Sequence, residues 1–261
     1  GASIGGFVVS AYGVEAAFII NSICFLLGAL MYSTITIPQE PYEPKPGGIW
    51  QNTGANILDG FRIIFSKPHV SRIITAKALW AVFGGGLVYM LVLMGDQIAL
   101  GDLAAGVGIL FAARGLGTGL GPIFARYVFK NRQVWPFLLG SLVSVCGLAY
   151  VAIGWLAWTP WVVAIVVFGH AASAINWVLS TVLLQERSDD EWRGRMFSTD
   201  FLLMTMVNGF STLAASLMLE YTDITLRQGI QIFATLQVLS GIIWVMLMMP
   251  SERRYLQATS S

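Results

Sequence analysis

Apolar residues fill this chain in stretches of about 20, and the charges gather in the segments between them. A helix needs roughly 20 residues to cross a hydrocarbon core. Seven stretches meet that length: 16–37, 73–94, 104–128, 135–156, 161–184, 196–219 and 226–249. Residues 1–10 read as the end of a further helix, because the chain opens inside a glycine-rich apolar run. In lipid every backbone N–H and C=O must be bonded within the structure, so repeated segments of this kind predict an all-α, polytopic helical bundle.

One connection stands out. Pro38, Pro41, Pro44 and Pro46, followed by Gly47 and Gly48, form a stretch that cannot be helix. After it Ile57, Phe61, Ile64 and Phe65 recur at helical spacing among Asp59, Arg62 and Lys67, which predicts a short amphipathic helix along the membrane surface. The chain thus divides into an upstream part (1–37), the connection (38–71), a six-helix bundle (72–250) and a tail (251–261).

Composition agrees with this picture. Hydrophobic residues make up 56% of the chain, charged residues only 11%, and mean hydropathy is +0.71. A soluble domain carries about 25% charged residues, so the missing charges mark surface that meets the lipid bilayer. A net charge of +1 gives no basis for a nucleic-acid partner. No basic region precedes the first apolar stretch, as a secretory signal requires. Cys24 and Cys146 lie mid-helix and form no C-x-x-C pair, so neither a disulfide nor a metal site is expected.

The loop charges give an orientation. Lys and Arg in short loops favour the cytoplasmic side. Lys45, Arg62 and Lys67 occupy the long connection; the next loop holds Asp96 and Asp102; then come Arg126, Lys130 and Arg132; then the uncharged 157–160; then Arg187, Arg193 and Arg195; then the acidic 220–225; and finally Arg253 and Arg254. The alternation holds at every turn, with Arg227 the one basic residue on the acidic side. It predicts a multi-pass membrane protein whose long connection and C-terminus are cytoplasmic.

Candidate chemistry lies inside the spans. Arg114 is about 12 residues from Arg126, or roughly 18 Å along a helix, and so near the midplane. There an Arg costs at least about 2.5–3.5 kcal/mol unless it faces a cavity or a partner. His170 and Asn208 reach similar depth on two other helices. A lone midplane His or Asn is more often an interhelical hydrogen bond than a ligand contact; Arg114, as a charge, demands more. His170, Ser173, Trp177, Ser180 and Thr181 form a polar stripe on one helix face, which fits a wet cavity wall or dense packing about equally.

Lys77 and Asp200 lie at matching depths near the cytoplasmic edge and are able to pair as a latch released by protonation of Asp200. The plainer reading has Lys77 snorkelling to the interface and Asp200 capping its helix beside Arg193 and Arg195; for Lys77 the plainer reading is preferred. Gly115 and Gly119, interleaved with Gly117 and Gly121, form two G-x-x-x-G pairs that let neighbouring helices approach. Gly84, Gly85 and Gly86 sit mid-helix, as a hinge or as a close packing surface. Trp80, Trp135, Trp155, Trp158, Trp161 and Trp192 read as interfacial anchors. No H-E-x-x-H, no G-x-S-x-G and no paired carboxylates occur within a span, so no enzyme is expected.

Several motifs resemble a known family. Gly1-Ala2-Ser3-Ile4-Gly5-Gly6 is similar to the G-P-x-x-G-G antiporter motif of the fifth helix of major facilitator superfamily transporters, with Ala2 in place of proline. Gln185-Glu186-Arg187 through Glu191-Trp192-Arg193-Gly194-Arg195-Met196 resembles the link between their tenth and eleventh helices, most of all in bacterial exporters of the enterobactin-exporter type. Gly115–Pro122 is similar to their eighth helix. Ala125 departs from the G-x-x-x-D-R pattern of the following loop, where an acid precedes Arg126.

The resemblance spans the chain, from the end of the fifth helix to the C-terminus. It implies a secondary active transporter, exporting small amphipathic molecules (drug or metabolite efflux) by alternating access, with the proton as coupling ion and no cofactor. Arg114, His170, Trp177 and Asn208 would line the substrate site, and Lys77, Arg193, Arg195 and Asp200 would form the cytoplasmic gate. It further implies a bacterial inner-membrane location and, as partner, an N-terminal half-bundle of the same chain. The alternative is a truncated half-bundle that transports nothing and serves a binding or regulatory role.

Overall fold

The computed structural model describes residues 2–36, 49–98 and 102–260. The stretch carrying Pro38, Pro41, Pro44, Pro46, Gly47 and Gly48 lies outside the described residues. Those described form ten α-helices, a short 3-10 turn at Arg132–Val134 and no strand. The helices are α1 (Ala2–Tyr12), α2 (Val14–Ser33), α3 (Ile49–Ser66), α4 (Pro68–Leu93), α5 (Gly95–Ile98), α6 (Leu103–Val128), α7 (Trp135–Trp155), α8 (Pro160–Glu186), α9 (Asp190–Tyr221) and α10 (Leu226–Ser260). Seven of them (α2, α4 and α6–α10) are long and apolar enough to span a membrane.

Local chemistry sets several boundaries. α1 and α2 are separated at Gly13, whose φ of 86° is open to glycine at little cost. Pro68, Pro136 and Pro160 sit in the first turns of α4, α7 and α8, where no ladder hydrogen bond is lost. Asp102 caps α6 by accepting from the Ala105 N–H.

Six helices close into a bundle. α6 packs on α8, α8 on α7, α7 on α10, α10 on α4 and α4 on α9; α4 also touches α8 and α7, and α1 lies against α6. Lipid is as apolar as leucine, so these contacts depend on close van der Waals fit, which small residues allow. A Cβ on Gly117 or Gly121 would come within 2.2 Å of Val167 O or 2.5 Å of Ala171 O, so this face of α6 meets the α8 backbone directly. The interleaved Gly115 and Gly119 have nothing within 4 Å of a Cβ and face open space. The close approach therefore uses one of the two G-x-x-x-G faces.

The Gly84-Gly85-Gly86 triplet is a packing surface. A Cβ on Gly85 would meet Asn208 O at 2.4 Å, and one on Gly86 would meet the Phe233 ring at 2.4 Å. The Gly86 N–H also lies 2.9 Å from Ser211 Oγ. α4 is thereby clamped between α9 and α10.

The expected amphipathic helix is α3. Gly60 and Ile64 are buried, with Gly60 against Thr199 of α9, while Leu58 and Phe65 are exposed. Arg227, the exception to the charge alternation, has a structural task. Its guanidinium donates to Gly154 O and Leu156 O at the C-terminal end of α7 and lies 4.3 Å from the Trp158 ring centroid. It satisfies carbonyls that the helix leaves unpaired.

The segment 251–261, expected as a tail, is helical to Ser260. α10 runs on through Pro250, and Glu252 is buried. The carboxylate of Glu252 pairs with Arg72 Nε at 2.8 Å and with Arg187. Arg187 also donates to His69 O, and the His69 and Tyr255 rings stack at 5.0 Å. One carboxylate between two guanidiniums thus joins the ends of α4, α8 and α10.

Candidate functional site

A chamber of about 430 Å³ opens among four helices. α4 contributes Trp80; α6 contributes Arg114 and Thr118; α8 contributes Ser173 and Trp177; α9 contributes Thr205 and Asn208. Three of the four expected substrate contacts, Arg114, Trp177 and Asn208, therefore line one cavity. Arg114 is half-buried and lies 5.3 Å from the Phe111 ring centroid; among the described residues no carboxylate pairs with it. The lining mixes two indoles, a cation, hydroxyls and an amide. That is the pattern of a ligand site: a mostly apolar wall with a few polar groups to fix orientation. A larger, open depression of about 660 Å³ at the other end of α10, beside Asp223, Gln228 and Thr235, is lined by that helix and the turn before it, and is a surface groove.

At the end of the chamber's helices nearer Arg195 lies a buried ion pair. Lys77 Nζ is 2.6 Å from Asp200 Oδ2, both side chains are buried, and the ammonium sits 4.8 Å from the centroid of the Trp177 ring. Trp177 is shared: it lines the chamber and covers the pair. Asp200 Oδ1 is buried with no hydrogen-bond partner among the described residues.

The family model described as Major Facilitator Superfamily matches residues 1–215. The chain belongs to the major facilitator superfamily. No curated protein and no solved structure matches it. As a member of the major facilitator superfamily it is a multi-pass membrane protein of the secondary-transporter type, acting on small molecules.

Within this superfamily member, two site expectations need correction. His170 does not line the chamber. It is buried, and its Nε2 lies 2.8 Å from the Tyr150 hydroxyl of α7, with the rings edge-on at 5.9 Å. Two turns above Trp177, α7 closes over α8: a Cβ on Gly169 would meet Ala149 Cβ at 3.0 Å. The polar stripe thus begins in the α7–α8 interface and reaches the cavity only at Ser173 and Trp177.

The other correction is to the plainer reading of Lys77 and Asp200, since the pair that their matching depths allowed is the one formed. Lys77 does not snorkel and Asp200 caps nothing; they hold each other. Arg193 instead pairs with Asp190 on its own helix and reaches Ser188 O at 3.4 Å. Arg195 lies over the Trp192 ring at 4.8 Å. Both arginines stay in the first turns of α9, apart from the buried pair.

Trp80, read from the sequence as an interfacial anchor, is a wall of the chamber. α4 starts at Pro68, so Trp80 falls at mid-helix, and its indole Nε1 is buried without a partner among the described residues. Thr118 and Thr205 were carried by no sequence signal beyond lying about one turn from Arg114 and Asn208.

Proposed function

We propose that this chain is a proton-coupled exporter of small amphipathic molecules, working by alternating access around the chamber. The observation that carries the reading is the convergence of Arg114, Trp177 and Asn208, from three helices, on one cavity. An unpaired guanidinium in a low-dielectric site favours an anionic or strongly polar group on the substrate, since a charge there is costly until neutralised. Trp80 and Trp177 supply flat apolar surface for the remainder of the molecule, and Asn208, Thr118 and Thr205 supply hydrogen bonds that orient it.

The Lys77–Asp200 pair supports the proton as coupling ion. Asp200 has one carboxylate oxygen bonded to Lys77 and one buried oxygen unbonded. A proton arriving at Oδ1 neutralises the carboxylate and removes the attraction that holds α4 to α9 at this point. Because Trp177 touches both the ammonium and the chamber, release of the pair alters the site wall. Protonation and substrate binding are thereby linked through one indole, as coupling between two sites requires.

The test is transport in proteoliposomes carrying a pH gradient, with wild type and Asp200→Asn compared across a panel of small amphipathic compounds. A gradient-driven flux in the wild type that loses its pH dependence in Asp200→Asn supports the reading. A flux of unchanged pH dependence in the variant removes Asp200 from coupling.

A further inference from the structure

Adjoining the central chamber, with Pro122 and Val178 lining both, a second pocket of about 360 Å³ lies between α6 and α8. Its mouth carries Arg126, Lys130 and Arg132, and its wall is formed by Phe129, Trp135, Ile175 and Leu179. Arg132 is engaged: it pairs with Glu186 and lies 4.2 Å from the centroid of the Trp135 ring. Arg126 and Lys130 make no ion pair among the described residues, and no carboxylate lines the pocket. The loop that presents them is held by its own bonds. Trp135 Nε1 donates to Phe129 O at 2.8 Å, Asn131 Oδ1 accepts from the Gln133 N–H at 3.0 Å, and the Phe124 and Phe129 rings meet edge-on at 6.3 Å.

We propose that this pocket binds one anionic phospholipid, its phosphate between Arg126 and Lys130 and its acyl chain along the apolar wall of α6 and α8. Two uncompensated cations at the mouth call for an anion, and guanidinium and ammonium groups are the usual partners of phosphate oxygens. The wall argues for a lipid over a water-soluble anion. Ile123, Phe124, Tyr127 and Val128 on the last turns of α6 are exposed large apolar residues adjoining the mouth, a surface suited to acyl chains and not to water. Trp135 at the rim is the aromatic type favoured at headgroup depth. Basic pockets between membrane-spanning helices are known to take anionic headgroups. The bound lipid would fill the pocket between α6 and α8 and fasten the loop that joins α6 to α7.

The experiment is native mass spectrometry of the intact chain in detergent, titrated with phosphatidylglycerol or with phosphatidylcholine. The wild type is expected to retain one phosphatidylglycerol in preference to phosphatidylcholine. Arg126→Gln with Lys130→Gln should weaken retention roughly 30-fold, from two basic contacts with an anionic headgroup. Arg253→Gln with Arg254→Gln removes as much charge from the exposed end of α10 and should leave retention unchanged. Circular dichroism and thermal unfolding of each variant establish that it is folded, and the lipid preference of the wild type stands as a test without any variant. Equal retention of the two lipids, equal loss in both double variants, or displacement of the lipid by millimolar inorganic phosphate would overturn the proposal.

Discussion

Lys77 and Asp200 lie 123 residues apart in the chain, yet Nζ and Oδ2 meet at 2.6 Å inside the bundle. Removing two charges from water is expensive, and the cost is recovered only while both are present. Asp200→Asn or Lys77→Met alone should lower stability by about 3–5 kcal/mol, because each leaves one buried charge uncompensated. The double variant Lys77→Met/Asp200→Asn should recover most of that loss. Thermal unfolding of the three variants in one detergent measures it; a double variant no more stable than the worse single one contradicts the pairing.

The helical spans were legible in the sequence because length and hydropathy suffice to define them. Depth counted along each helix brought Arg114, His170 and Asn208 to one level; Arg114 and Asn208 line one cavity, joined by Trp177 from the polar stripe of α8. Depth does not say which neighbour a side chain faces. His170 has the right depth and the same face as Trp177, but α7 covers it. Glu252 was missed because Pro250 and the arginines after it read as the end of the last helix; only tertiary contact with Arg72 and Arg187 gives the extension a reason to stay helical. For Lys77, matching depth allowed the pair with Asp200 that forms, but no local pattern decided between that pair and snorkelling.

The Glu252 cluster makes its own prediction. Glu252→Gln leaves the partly buried guanidiniums of Arg72 and Arg187 without their carboxylate, and should cost up to about 3 kcal/mol. The loss should appear with little change in helix content, since α10 is long and apolar up to Met249. Circular dichroism paired with thermal unfolding distinguishes this from unravelling of the segment.

The glycines of α4 and α6 should respond in opposite ways. Gly85→Ala places a Cβ 2.4 Å from Asn208 O, and forcing α4 from α9 should cost about 1–3 kcal/mol. Gly115→Ala meets nothing within 4 Å and should change stability by less than about 1 kcal/mol, in the stabilising direction through helix propensity. Equal effects at the two positions would mean that α4 and α9 are not in contact at this level.

At the surface, Lys67 donates to Asp189 and holds that carboxyl below its ordinary value, with the ammonium charge acting in the same sense. A carboxyl whose folded value is depressed adds stability above its unfolded value, near 3.8, and loses that contribution as pH falls through the folded value. The difference in unfolding temperature between wild type and Asp189→Asn should therefore be constant from neutral pH down to about 4, and vanish below it. Because Asp189 is exposed, the difference should be small and should shrink with added salt.

The proposed substrate site is the chamber bounded by Arg114, Trp177 and Asn208. Its most direct test is flux of small amphipathic anions across proteoliposomes holding wild type or Arg114→Ala, with insertion and unfolding temperature measured on the same preparations. A compound moved by the wild type should not be moved by the variant, although the variant inserts and folds normally. Transport by folded Arg114→Ala at the wild-type rate would contradict it.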